Sequence, residues 1–269
     1  MPSNQPLECV HHNSRRELLA LVEVVVVEVV FLILAWFLQA AYPSGYGWYS
    51  KVFMIMLGLV GILAHKRSQE YGLRPKSFRF SLKWSVYIAT PFIIVSLAIL
   101  MLALVVGLSL LKPVGLVNDL VWYFIFVGFA EELFFRGYIQ SMLNEVFIKK
   151  YGKFLGVKYE WSQGTLVTAT FFFGLPHLLT GINPFMGKYR IDSFTVFMTG
   201  SAIFMGLVLG VVREKTGFIL VPTVLHGFMD FIALALGKVV GLAISNIATG
   251  IVLFIFFAML FEELLKEPV

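Results

Sequence analysis

Runs of about 20 apolar residues, each long enough to carry a helix across the hydrocarbon core of a bilayer, recur from end to end of this 269-residue chain. Eight spans are predicted, at roughly 18–41, 48–64, 84–111, 116–138, 163–180, 193–212, 218–236 and 239–261. Pro43-Ser44-Gly45, Lys112-Pro113, Asn183-Pro184 and Thr216-Gly217 mark breaks between them, because Pro and Gly interrupt helices. Backbone amides in lipid have no water to bond, so a chain of this kind satisfies them within helices. The expectation is an all-α, polytopic membrane protein of about eight transmembrane helices around a polar cavity. A polar segment over 1–17 would precede an integral membrane domain over 18–269.

Composition agrees: 59% of residues are hydrophobic and 14% charged, against the roughly 45–50% apolar fraction of soluble domains. The first apolar run is too long for a signal-peptide core and lacks a small-residue cleavage site, so it reads as a retained span. Cys9 is the single cysteine, which excludes an intrachain disulfide and a cysteine-based metal site. The net charge of +5 does not point to a nucleic-acid partner, because the basic residues lie between the apolar runs. With the N-terminus in the cytoplasm, fifteen fall on that side: Arg15, Arg16, Lys66, Arg67, Arg74, Lys76, Arg79, Lys83, Lys149, Lys150, Lys153, Lys158, Arg213, Lys215 and Lys266. Five are left opposite, Lys51, Lys112, Lys188, Arg190 and Lys238. That asymmetry predicts cytoplasmic N- and C-termini. The segment 139–162 is expected to hold an amphipathic continuation in the interface plane, since Met142, Leu143, Val146 and Phe147 follow helical spacing.

Ionisable side chains inside spans are costly and are functional candidates for that reason. Here they are Glu23, Glu28, Asp119, Glu131, Glu132, Arg136, His177, His226 and Asp230. Glu132 and Arg136 are four apart on one helix face and can pair. Glu131, rotated by about 100°, has no local cation and needs a neighbour from another span, for which His177 is the choice. His226 and Asp230 are also four apart. Each feature alone has an ordinary structural reading: an ion cluster, a histidine bonded to a carbonyl, a His–Asp surface pair. Together they place Glu131, His177, His226 and Asp230 within roughly 10–21 Å of the cytoplasmic helix ends, so they could share one catalytic cavity opening toward the cytoplasm.

A carboxylate in a low-dielectric site suits proton abstraction from water, a histidine can orient that water, and facing donors can hold an oxyanion. Two histidines and two acids would also suit zinc, although H-E-x-x-H is absent. No cofactor is expected, zinc being the alternative.

The segments "EELFFR" (Glu131, Glu132, Arg136), "FGLPH" (Phe173 to His177) and "HGFMD" (His226 to Asp230) resemble the motifs E-E-x-x-x-R, F-x-x-x-H and H-x-x-x-N/D of the CPBP intramembrane protease family. That family includes the type II CAAX prenyl endopeptidases and the Abi or bacteriocin-immunity proteins. The stretch through Gly210, Lys215-Thr216-Gly217 and Pro222 is similar as well, as is "YGLRPK", so the likeness covers about 70–236.

The resemblance implies glutamate-dependent peptide hydrolysis within the membrane. Glu131 would be the general base, His177 its partner in positioning water, and His226 with residue 230 the oxyanion hole; Glu132 and Arg136 would support them. The implied substrate is a lipidated or membrane-associated peptide, of which the C-terminal CAAX tail cut after its prenylated cysteine is the family's example. Asp230 departs from the Asn usual in the prenyl proteases, and an ionised carboxylate accepts hydrogen bonds without donating them. The alternative is a non-catalytic membrane scaffold or immunity-like protein. A proton-coupled transporter is disfavoured by the lack of repeated halves.

Overall fold

The computed structural model describes residues 7–43, 47–66, 68–107 and 113–269, with side chains from Ser14 onward except 113 and 114. Ser44, Gly45, Arg67 and Lys112, and the side chains of Cys9, His11 and His12, lie outside the described part. The chain is 81% helical, an all-α polytopic membrane protein. Helices α1 (Leu7–Ala41), α2 (Trp48–His65) and α3 (Phe78–Val105) are followed by a helical run over 113–146, here α4. A second broken run over 163–181 is α5; then come α6 (Ser193–Thr216), α7 (Leu220–Val240) and α8 (Leu242–Lys266).

Six of these eight runs, α1 to α3 and α6 to α8, are long and apolar enough to cross a membrane. The count of eight membrane crossings is thus not reached on length and apolarity among the described residues. The two runs left over, α4 and α5, contain Glu131, Glu132, Arg136 and His177, and their turns are irregular. Wide π turns occupy Trp122–Phe129 and Glu132–Ile139 of α4 and Thr168–Gly174 of α5, and α5 ends in a tight 3₁₀ stretch, Leu175–Gly181.

The loops define two faces of the bundle. At one, Ile219 N donates to Gly72 O at 3.1 Å and Lys83 pairs with Glu267 at 2.8 Å, joining the α2–α3 loop, the α6–α7 turn and the C-terminus. At the other, the Asn183 amide donates to Trp36 O at 3.1 Å and Gln39 at 2.9 Å, and Lys238 pairs with Asp119 at 2.6 Å. The first face carries the basic loops. Asp119 thereby acquires a structural role, as does Glu23, which accepts from Tyr138 at 2.6 Å and lies 2.9 Å from His65.

Burial ranks the helices. In α1 only 22% of the most apolar stretch is buried, and Val22, Val25, Val26, Val29 and Ile33 are left to lipid. In α7 the share is 61%, which makes it the central helix. Helices α2 and α4 lie side by side and run the same way, since Trp48 meets Trp122 with ring centres 5.2 Å apart and Gly61 meets Tyr138. A Cβ at Gly61 would fall 2.6 Å from the Tyr138 ring, so glycine is what permits this approach.

The segment after α4 departs from the expected amphipathic helix. Helix ends at Val146, with Met142 and Leu143 buried in protein rather than lying in the interface. A hairpin follows, β1 (Lys150–Phe154) with β2 (Val157–Ser162). Its two-residue turn, Leu155-Gly156, has both φ angles positive, 46° and 85°, matching the twist of paired strands. Phe154 packs on Trp161 and on Phe261 of α8.

Candidate active site

Glu131 sits between the two wide-turn stretches of α4 and Glu132 opens the second, a local geometry that is frequent at functional sites. Glu132 is fully buried. Its Oε1 accepts from Arg136 Nη1 at 3.0 Å and from His226 Nδ1 at 2.8 Å, while its Oε2 is buried without a hydrogen bond among the described residues. Arg136, also fully buried, donates from Nη2 to Gly206 O at 3.4 Å and lies over the Phe173 ring at 3.9 Å, a cation–π contact in a desolvated setting. The i,i+4 pair expected from spacing therefore forms, and α7 joins it through His226.

Glu131 behaves differently. Its Oε1 is paired with Lys51 Nζ of α2 at 2.5 Å. Its Oε2 lies 3.9 Å from His226 Nε2, and Asp230 Oδ2 lies 3.5 Å from the same nitrogen. His226 is 4% exposed, so its imidazole is largely shielded from water. His177, half-buried, has Nδ1 2.7 Å from Phe173 O, a bond in which Nδ1–H donates and Nε2 is left as an acceptor. The Phe173 ring separates the two histidines, with centres 5.2 Å from His177 and 5.9 Å from His226.

The cation absent from the sequence reading of Glu131 is thus Lys51, and it takes the direct contact that was expected of His177. Lys51 was counted among charges on the less basic side because it lies only one turn into α2; its stem carries the ammonium inward. Glu28 of α1, left without a role by the sequence, is 6% exposed, interacts with Glu131, and has both carboxylate oxygens without hydrogen bonds among the described residues.

Among the described residues no group of three or more His, Cys, Asp or Glu could hold a metal ion. Glu131 and Glu132 pair instead with an ammonium and a guanidinium.

A cavity of about 360 Å³ reaches Lys51 from the face opposite the basic loops, lined also by Trp36, Gln39, Trp48, Leu179 and Thr180. Toward the basic face α4 and α6 carry the buried polar residues Arg136, Gln140, Ser141 and Arg213.

Fold and site define a multi-pass membrane protein that gathers acid–base side chains from α2, α4 and α7, with α5 beside them, in the middle of its bundle. Residues 113–232 match the family described as Type II CAAX prenyl endopeptidase Rce1-like. The matched stretch contains Glu131, Glu132, Arg136, His177, His226 and Asp230, and the family is the one that the three motifs resemble. A search of curated proteins and a search of solved structures each returned no match.

Proposed function

We propose that this protein is an intramembrane endopeptidase in which Glu131 activates water against a peptide bond. The observation that carries the reading is convergence: Glu131 Oε2 at 3.9 Å and Asp230 Oδ2 at 3.5 Å both face His226 Nε2, whose ring is anchored through Nδ1 by Glu132. At 3.9 Å Glu131 Oε2 is beyond direct hydrogen-bond reach of His226 Nε2, so a water beside the pair can donate to the carboxylate and meet the imidazole. Water adds to the carbonyl carbon as Glu131 takes its proton. The tetrahedral oxyanion lies against His226, and collapse breaks the C–N bond as Glu131 returns the proton to the leaving amine. His177, with Nε2 left to accept, helps orient the water. Asp230 serves by holding the imidazole in place, which accounts for an acceptor where an amide donor was expected.

The substrate class is a lipidated or membrane-associated peptide, the C-terminal tripeptide of a prenylated CAAX tail being the first to try. The excess of basic residues in the loops of one face supports cytoplasmic N- and C-termini. The deciding experiment is cleavage of a prenylated CAAX peptide and of its unprenylated twin by purified protein and by Glu131→Gln. Loss of at least about 100-fold in rate with an unchanged melting curve is expected. Equal cleavage by the variant would refute Glu131 as base; no cleavage of any peptide by the parent would favour the scaffold reading.

A further inference from the structure

On the face with the basic loops, a second cavity of about 560 Å³ opens between the α2–α3 loop, the end of α4, the hairpin and the end of α6. Its walls hold four cations, Arg74, Lys76, Lys150 and Arg213, and two carboxylates, Glu70 and Glu214. Glu214 is spent on neutral donors: the Asn144 amide at 3.2 Å, the backbone N–H and hydroxyl of Ser162 at 3.0 Å each, and the Thr165 hydroxyl. The cations reach neutral acceptors in turn. Lys76 donates to Glu214 O at 3.1 Å, Lys150 to Ser162 Oγ at 2.6 Å, and Arg213 to Glu70 O and Ser141 Oγ.

Positive charge is therefore gathered at this cavity and not neutralised by these bonds. Arg213 is 7% exposed, and its Nε has no hydrogen bond among the described residues. Desolvation, followed by the nearby Arg213, holds the Lys76 ammonium below the usual lysine range. The backbone is shaped to bring Lys76 in: Gly217 ends α6 with φ 65°, and a Cβ there would meet the Lys76 side chain at 2.7 Å. The cavity lies where α2 and α6, both long and apolar enough to cross a membrane, give way to loops. Basic pockets in that position suit phosphate, since ammonium and guanidinium donors make short charge-assisted bonds to its oxygens.

We propose that this cavity binds the phosphate of an anionic lipid headgroup. The test uses the full-length protein in nanodiscs of phosphatidylcholine alone or with phosphatidylglycerol, reading the thermal midpoint. Three proteins are compared: the parent, the exposed-lysine double variant Lys76→Gln/Lys150→Gln, and Lys158→Gln as a control on the hairpin outside the cavity. Phosphatidylglycerol should raise the midpoint of the parent and of Lys158→Gln, and the double variant should lose at least half of that rise while matching the parent in pure phosphatidylcholine. A separate arm adds millimolar inorganic phosphate to phosphatidylcholine discs; a full rise there would overturn the lipid in favour of free phosphate. No rise with phosphatidylglycerol, or an equal rise in the double variant, would overturn the site altogether.

Discussion

Glu132 gives one oxygen to both Arg136 and His226, and Glu131 gives one to Lys51, so the adjacent carboxylates answer to different cations. Their substitutions should fail differently. Glu132→Ala leaves a guanidinium buried without its counter-ion, and destabilisation of about 3–5 kcal/mol is expected by denaturant titration in detergent. Unchanged stability would mean that Gly206 and Phe173 suffice for Arg136. Glu28 presents the opposite case, a buried carboxyl whose oxygens make no described hydrogen bond. Replacing it by an apolar side chain of similar length removes an unmet polar group, so Glu28→Met should gain about 1 kcal/mol or more. Cleavage should slow in the same variant, because Glu28 acts on Glu131; a cleavage rate equal to the parent's would remove Glu28 from the site.

Among the elements, α2 has the least obvious importance and the largest leverage. It bears no motif, yet it brings Lys51 to Glu131, and its approach to α4 depends on Gly61. Gly61→Val would drive two methyl groups into the Tyr138 ring, at a cost of about 1–3 kcal/mol. A matching drop in cleavage should accompany it, since α2 would carry Lys51 away; activity at the parental level in a destabilised Gly61→Val protein would speak against that coupling. The helices themselves were legible from sequence because apolar run length is written along the chain. The three motif segments were legible because charge inside such runs is rare. Lys51 was not, because pairing between α2 and α4 crosses 80 residues and a lysine one turn inside a helix looks interfacial. The hairpin was missed for a local reason. Met142 and Leu143 continue the helical period of α4, which hid the strand alternation and the Leu155-Gly156 turn just after it.

At the scale of the whole bundle, the two cavities lie at opposite ends. The one rich in cations belongs to the face with the basic loops, and the one that reaches Lys51 belongs to the other. A cysteine placed at Ser50, which lines the cavity that reaches Lys51, in a Cys9→Ser background should react with a membrane-impermeant maleimide only from outside sealed cells. Labelling only from the cytoplasmic side of inverted vesicles would reverse the orientation drawn from the charges. Under the proposed activity, a peptide entering at the α1–α2 turn would be drawn from the compartment that the basic loops do not face. A lipid-tethered tail arriving from the basic side would instead slide sideways between helices, with the bilayer itself as its corridor to Glu131.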